Sequence, residues 1–263
     1  MKIERRTGVP AYEKFEFSAK SKDYCVLIPI INEGSRIIHE LERAKAANIN
    51  NYADIVICDG GSNDGSTEHL RLISLEVNTL LIKQDVGKQG AQLRMGISWA
   101  LDRGYQGIIT IDGNDKDSVE DIPSFIDKLR EGYDLVQGSR FIKGGYAENT
   151  PLSRLLAVRL IHAPIISLTA GHWYTDTTNA YRAYSRKYLE HPKVQPLREI
   201  FIGYELLAYL SVRADQLGLK CCEIPVSRVY PKGEKTPTKI SKWSGNLDLL
   251  KTLIKNLFCY YNV

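Results

Sequence analysis

The sequence lacks a disulfide framework. Its five cysteines, Cys25, Cys58, Cys221, Cys222 and Cys259, are odd in number and show no CxxC spacing. That argues against a stapled secreted scaffold and against a zinc knuckle. Cys25 and Cys58 lie inside apolar runs and read as small core residues. No uninterrupted run of about 20 apolar residues exists, so no spanning helix is expected. The nearest approach, LLAVRLIHAPIISLTA at 155–170, is interrupted by Arg159, His162 and Pro164. The N-terminal MKIERRTGVPAYEKFEF is charged with no apolar stretch behind it, and does not read as a signal peptide. Neither charge dominates: 35 Lys+Arg against 31 Asp+Glu leave +4. That is too little to argue for nucleic acid, and it suits an acidic small ligand or an anionic membrane surface equally. A reducing cytoplasm is the simplest setting.

What is present is ordinary globular composition, 43% hydrophobic and 25% charged over 263 residues. That allows one large α/β domain or two small ones, at roughly 100–200 residues each. CVLIPII (25–31), DIVIC (54–58), residues 79–83, GIITID (107–112) and YDLVQ (133–137) read as buried strands. Between them, helices are expected from Ile37, Ile38, Leu41 and Ala44, from near Ser66, over 88–103, and from Val119 to Leu129. This alternation predicts a mostly parallel sheet covered on both faces, with ligands outside the carboxyl ends of the strands. In the second half, 151–170 and 199–217 read as helices, 221–230 as a strand and 231–239 as a basic loop. Residues 246–261 form an amphipathic helix with Leu247, Leu250, Ile254, Leu257, Phe258 and Tyr261 on one face, fit to pack on its own domain or to lie on a bilayer.

Three polar constellations follow predicted strand ends. In the first, Asn32-Glu33 faces the turn Asp59-Gly60-Gly61-Ser62-Asn63-Asp64. Asp59 there can accept from a base edge or a ribose hydroxyl, or the whole turn can simply be a cap for the next helix. In the second, the acidic run Asp112-Gly113-Asn114-Asp115-Lys116-Asp117 suits Mg²⁺ or Mn²⁺ shared with diphosphate oxygens, or is a solvated turn. The third is Gly138-Ser139-Arg140 with Arg154, whose guanidinium groups suit phosphate, or are surface charge.

Taken in order, PIINE (29–33), DGGSNDGS (59–66), DGNDKD (112–117), GSRFIKGG (138–145), ENTPLSR (148–154), DTTNAYRAYS (176–185) and EIPVSRVYPKGE (223–234) resemble the family 2 glycosyltransferases of the GT-A fold. Within that family the chain is most similar to the dolichyl-phosphate mannose synthase branch, from about Tyr24 to about Asn246. The resemblance implies an α/β GT-A nucleotide-diphospho-sugar transferase fold with a mostly parallel central sheet flanked by helices. The expected layout is an N-terminal extension (1–22), one catalytic domain (23–240) and the C-terminal amphipathic helix (241–263). Within the domain, 23–138 is the nucleotide-sugar half and 139–240 the acceptor half.

The resemblance also implies roles. Pro29, Asn32, Glu33, Asp59, Gly61, Ser62, Asp64, Lys88, Asp112, Gly113, Asn114 and Lys116 would bind the nucleotide sugar. Asp112, Asn114 and Asp115 would hold a divalent metal, Mg or Mn. Arg140, Arg154, Arg228, Lys232 and Lys239 would meet phosphates of donor or acceptor, the lysines from a flexible lid. The reaction would be an inverting transfer to a glycan or polyprenyl-phosphate-type acceptor in surface polysaccharide or glycolipid assembly, at the inner face of the membrane. Nucleic acid is not an expected partner. A hydroxyl acceptor needs a general base, for which Asp176 and Glu205 are the candidates; a phosphate acceptor does not. Two alternatives remain: a sugar-phosphate nucleotidyltransferase, disfavoured because PIINE stands where a Gly-rich basic loop is usual, and a non-catalytic nucleotide-sugar-binding protein.

Two positions depart from the branch. Its Asp-x-Asp followed by Gln reads here Asp112-Gly113-Asn114 and then Lys116. Either Asp115 or Asp117 takes over as ligand, or Lys116 itself neutralises the diphosphate. Asn179-Ala180 also replaces the usual small residue and Gly.

Overall fold

In a computed structural model, residues 6–232 and 244–263 are described. Among the described residues ten strands form: β1 (Tyr12–Glu16), β2 (Tyr24–Ile30), β3 (Asp54–Asp59), β4 (Thr79–Lys83), β5 (Gly107–Thr110), β6 (Leu135–Ser139), β7 (Tyr146–Glu148), β8 (Arg182–Ser185), β9 (Cys221–Pro225) and β10 (Ser227–Val229). The helices are α1 (Ser35–Ala46), α2 (His69–Ser74), α3 (Gln89–Asp102), α4 (Ile122–Arg130), α5 (Leu152–Ala157), α6 (Ala163–Ala170), α7 (Arg186–Leu189), α8 (Glu205–Gln216) and α9 (Ser244–Leu257). Eight strands make the main sheet in the order β1-β4-β3-β2-β5-β8-β6-β9, and β10 pairs with β7 in a small second one. In the main sheet β1 and β8 run antiparallel to their neighbours; the other pairings are parallel.

Strands β2 to β6 are buried along nearly their whole length because both faces are covered. Alternate residues feed two cores. Cys25, Leu27, Val56 and Cys58 pack with α3 and α8 on one face, while Val26, Ile28, Ile30, Ile55 and Ile57 pack with α1 and α4 on the other. Helix α3 is buried nearly all round, since the 201–203 segment lies on its N-terminus. A Cβ on Gly90 would stand 2.5 Å from the Gly203 carbonyl, so only glycine fits there.

Several boundaries differ from expectation. The segment read as an N-terminal extension contributes β1, an edge strand on β4. The helix expected from 199 starts only at Glu205, because the chain before it turns against α3. The strand expected over 221–230 breaks at Val226, where β10 leaves the main sheet for β7. The run thought interrupted by Arg159, His162 and Pro164 is one continuous helix, Leu152–Ala170. A π turn at Val158–His162 lies in its middle, and Pro164 sits in the first turn of α6. By length and composition this helix could cross a membrane.

Buried Glu40 on α1 yields one stability prediction. One oxygen accepts from the Asp115 amide at 2.8 Å and the other has no partner. Burial pushes its carboxyl well above the ordinary 4.5, and Asp117, Asp115 and Asp112 push the same way. The folded state therefore favours the protonated acid. Its contribution is full below about 4.5 and is lost as pH rises towards the folded-state value. Glu40→Gln keeps an acceptor for Asp115 without the charge. It is expected to stabilise the fold at pH 8 by about 1 kcal/mol, with a smaller gain at pH 5. Urea midpoints at both pH values check this; an equal or lower midpoint at pH 8 contradicts it.

Candidate functional site

The carboxyl ends of β2, β3 and β5 open a crevice, as parallel sheets do where strand order reverses. On the β2–β3 side, Asn32 sits at φ +50 and Gly61 at φ +98. The Asn32 amide donates to Ser62 Oγ at 2.9 Å, and Asn32 Oδ1 accepts from the Asn63 amide at 2.9 Å. Asp59 is buried, and its oxygens accept from the Gly61 and Ser62 amides and from Ser62 Oγ at 2.5–3.2 Å. Asp59 thus shapes the turn instead of presenting a free carboxylate. Asp64 accepts from Ser66, whose hydroxyl receives the Gly34 amide, and Glu33 pairs with Arg36. Glu68, not Ser62 or Asp64, caps α2. Pro29 lies within β2, and Lys88 donates its amide to the Ile202 carbonyl.

The acidic run does not converge as a metal cage. A Cβ on Gly113 would meet Ile30 and Ile28 at 2.5 and 2.9 Å, so this segment presses onto β2. Asp112 is partly exposed, at 22%. Its oxygens accept from Gln89 Nε2 at 2.9 Å and Arg228 Nη2 at 3.3 Å. Asp115, at φ +56, turns away to His39 and to Arg43 Nη1, the latter at 2.8 Å. Asp117 is fully buried and takes Arg228 Nη1 at 2.5 Å. Burial raises the Asp112 carboxyl, but Arg228 and Lys116 outweigh it and hold it below its ordinary value; for Asp117 burial prevails and the carboxyl is raised. Among the described residues no three His, Cys, Asp or Glu side chains are grouped to hold a metal. The buried Asn114 Oδ1 and Asp117 Oδ1 have no hydrogen-bond partner. A neutral amide and a carboxylate held by Arg228 make a poor pair for a divalent ion, which the guanidinium repels. The expected Asp112–Asn114–Asp115 ligand set does not fit.

A cationic cluster stands there instead. Lys116 Nζ, Arg228 and Arg154 lie 5.2, 5.7 and 5.8 Å from the Tyr230 ring centre, and Arg154 Nη1 donates to the Tyr230 hydroxyl at 3.2 Å. Burial and then Arg228 bring the Lys116 ammonium down to about 8. Burial opposes ionisation of Tyr230, but Arg228 and Arg154 bring its hydroxyl down to about 8.

On the acceptor side, Arg140 and Asp176 face each other rather than a ligand. Arg140 Nε and Nη2 donate to the two Asp176 oxygens at 2.6 and 2.9 Å, with Asp176 at 0% exposure. Glu223 accepts from the Thr175 and Asp176 amides and from Thr175 Oγ1, fixing that loop. Glu205 accepts from the Gly203 amide at 2.6 Å, an N-terminal role on α8. Neither carboxylate is set as an open proton acceptor. Lys232 reaches Glu148 at 3.7 Å; Lys239 lies outside the described residues. Trp173 is exposed, whereas Tyr174 is buried and bonds Asp215.

Several site residues carried no motif. Gln89 binds Asp112, and Gln92 Nε2 bridges the Ile30 and Cys58 carbonyls at 2.6 and 2.8 Å. Their i, i+3 spacing on a helix that begins at the sheet's carboxyl edge is the signal for them. Tyr230 has only its place beside Arg228.

The model of glycosyl transferase family 2 matches residues 25–191. Polyprenol monophosphomannose synthase of Mycolicibacterium smegmatis is 28% identical over 77% of this chain and 76% of its own. Dolichyl-phosphate hexose transferase of Haloferax volcanii is 29% identical over 76% and 79%, and undecaprenyl-phosphate mannosyltransferase of Micrococcus luteus 28% over 77% and 82%. Among solved structures, glucosyl-3-phosphoglycerate synthase of Mycobacterium tuberculosis, in complex with Mn²⁺, UDP and glucosyl-3-phosphoglycerate, superposes with a TM-score of 0.65 at 15% identity. That match covers 89% of this chain and 80% of the other, a likeness of fold.

Proposed function

The chain belongs to glycosyl transferase family 2 and has the GT-A fold, and on that premise we propose that it moves a sugar from a nucleoside-diphosphate donor to a polyprenyl-phosphate acceptor at the cytoplasmic face of a membrane. One observation carries the acceptor assignment. Arg154 extends from α5 into the cationic cluster, while the same helix exposes Leu152, Leu156 and Leu160 at successive turns. A lipid phosphate at Arg154 would leave its chain along that apolar face. The names of the three relatives above pair a hexose or mannose with a polyprenyl-type phosphate.

The chemistry follows from an anionic acceptor. A phosphate oxygen attacks the anomeric carbon from behind, the bond to the donor's diphosphate breaks, and nucleoside diphosphate leaves with the electron pair. The nucleophile is already ionised, so no general base is needed, in keeping with the enclosed Asp176 and with Glu205, which accepts from the Gly203 amide. Lys116 and Arg228 stabilise charge as it grows on the leaving group, while Arg154 holds the acceptor phosphate. The test is release of nucleoside diphosphate from UDP-, GDP- and dTDP-sugars. Release with one donor that rises at least tenfold with polyprenyl phosphate, and not with polyprenol, supports the reading. Equal stimulation by the alcohol overturns it.

The same surface suits a bilayer. Leu160 is 69% and Phe258 77% exposed, and Leu168, Leu247, Leu250 and Ile254 are exposed too. Helix α9 seats through Leu253, Thr252 and Asn256 and turns most of its apolar stripe outward. Helix Leu152–Ala170 is tied to the domain by Arg154, by His162 on Thr177 and by Ser167 on Tyr174, which suits lying flat more than spanning. Leu160→Glu/Phe258→Glu should reduce flotation with anionic liposomes at least tenfold at an unchanged melting temperature. Wild-type protein that fails to float contradicts the docking.

A further inference from the structure

Where the resemblance implies a metal, this chain places the Lys116 ammonium and the Arg228 guanidinium around the Tyr230 ring. Of the three ways to make good the missing ligands, two fail on geometry. Asp115 is directed to His39 and Arg43 on α1. Asp117 is sealed beneath Arg228 with no exposed surface. Lys116 remains, 5% exposed. It is fixed by pairing of its segment with β10: its carbonyl accepts the Val229 amide at 2.8 Å, and the Ser118 amide donates to the Ser227 carbonyl at 3.0 Å. Charge counting agrees. Asp112 and Asp117 contribute two negative charges against three positive ones from Arg228, Lys116 and Arg154, so the cluster holds an excess of positive charge without an ion. Relative to Asp-x-Asp followed by Gln, Asn114 and Lys116 together add two positive charges, the charge of a divalent cation.

We propose that Lys116, backed by Arg228, supplies to the donor's diphosphate the positive charge of a divalent ion, so that nucleotide binding by this chain needs no metal. This rests on the donor assignment above. A lysine is a compact point charge with rotatable donors, suited to a diphosphate, and it acts in a water-poor pocket where fixed charge counts for more.

Isothermal titration of the full chain with UDP, GDP and dTDP, in EDTA and in Mn²⁺ or Mg²⁺, tests it. Wild-type protein should bind one of them in EDTA with an affinity within about threefold of that in metal. Lys116→Gln should weaken binding in EDTA at least tenfold, while Lys116→Arg, which keeps the charge, stays within about threefold of wild type. Circular dichroism confirms that both variants are folded. Wild-type binding that appears only with Mn²⁺ or Mg²⁺ overturns the proposal, as does wild-type affinity of folded Lys116→Gln in EDTA. Failure of UDP, GDP and dTDP alike to bind in any buffer overturns the donor assignment and the proposal with it.

Discussion

Arg228→Leu is expected to cost about 3–5 kcal/mol of folding stability and to abolish nucleoside-diphosphate binding. Arg228 is 5% exposed and holds two carboxylates at once, Asp117 at 2.5 Å and Asp112 at 3.3 Å. Without it Asp117, with no exposed surface, must either carry an unpaired buried charge or take up a proton, and either outcome costs folding free energy. The melting temperature should fall by on the order of 10 °C. Arg228→Leu/Asp117→Asn removes both charges and should regain more than half of the lost stability, because the two effects are coupled. Nucleotide binding should not return with it, since half of the cation pair is gone. Urea denaturation and titration calorimetry on the two variants separate these effects. A single variant that melts within about 2 °C of wild type contradicts the bridge.

Asp176→Asn is the second large effect, and it decides between two roles. As a general base, its loss would lower turnover at an unchanged melting temperature. Bound through both oxygens to Arg140 at zero exposure, it instead neutralises a buried guanidinium. Asp176→Asn then leaves that cation unpaired and should destabilise the fold by about 3 kcal/mol. Turnover measured on the folded fraction at low temperature should remain within about tenfold of wild type. Arg140→Met/Asp176→Leu should recover stability. A variant with wild-type stability and turnover reduced a thousandfold would restore Asp176 as the base.

The strands were legible because their apolar runs are short, regular and closed by polar turns. DIVIC ends at Asp59 in sequence and in space. The crevice was legible too, since each polar run follows a strand end. Which carboxylates face outward was not. Arg228 stands 111 residues from Asp117 and 116 from Asp112, and Arg140 36 from Asp176. Periodicity carries no information across such separations, so buried pair members and open ligands look alike in a motif. The same limit hid β1. Its YEKFE alternates weakly and gains its place only by pairing with β4. Leu247, Leu250 and Ile254 share one exposed face of α9, whereas Tyr261, expected on the same face, lies beyond the helix end and is buried against Phe201 and Tyr209. Three polar or apolar contacts of the opposite face, Thr252, Leu253 and Asn256, seat the helix.

Mass spectrometry of the lipid extract, after incubating the chain with a nucleotide sugar and polyprenyl phosphate in anionic liposomes, tests the central claim most directly. The account predicts polyprenyl phosphate heavier by one sugar residue, its anomeric configuration inverted from the donor, with one nucleoside diphosphate released per product. A sugar found only on a hydroxyl acceptor, or a sugar 1-phosphate formed at the donor's expense with no lipid product, would contradict it.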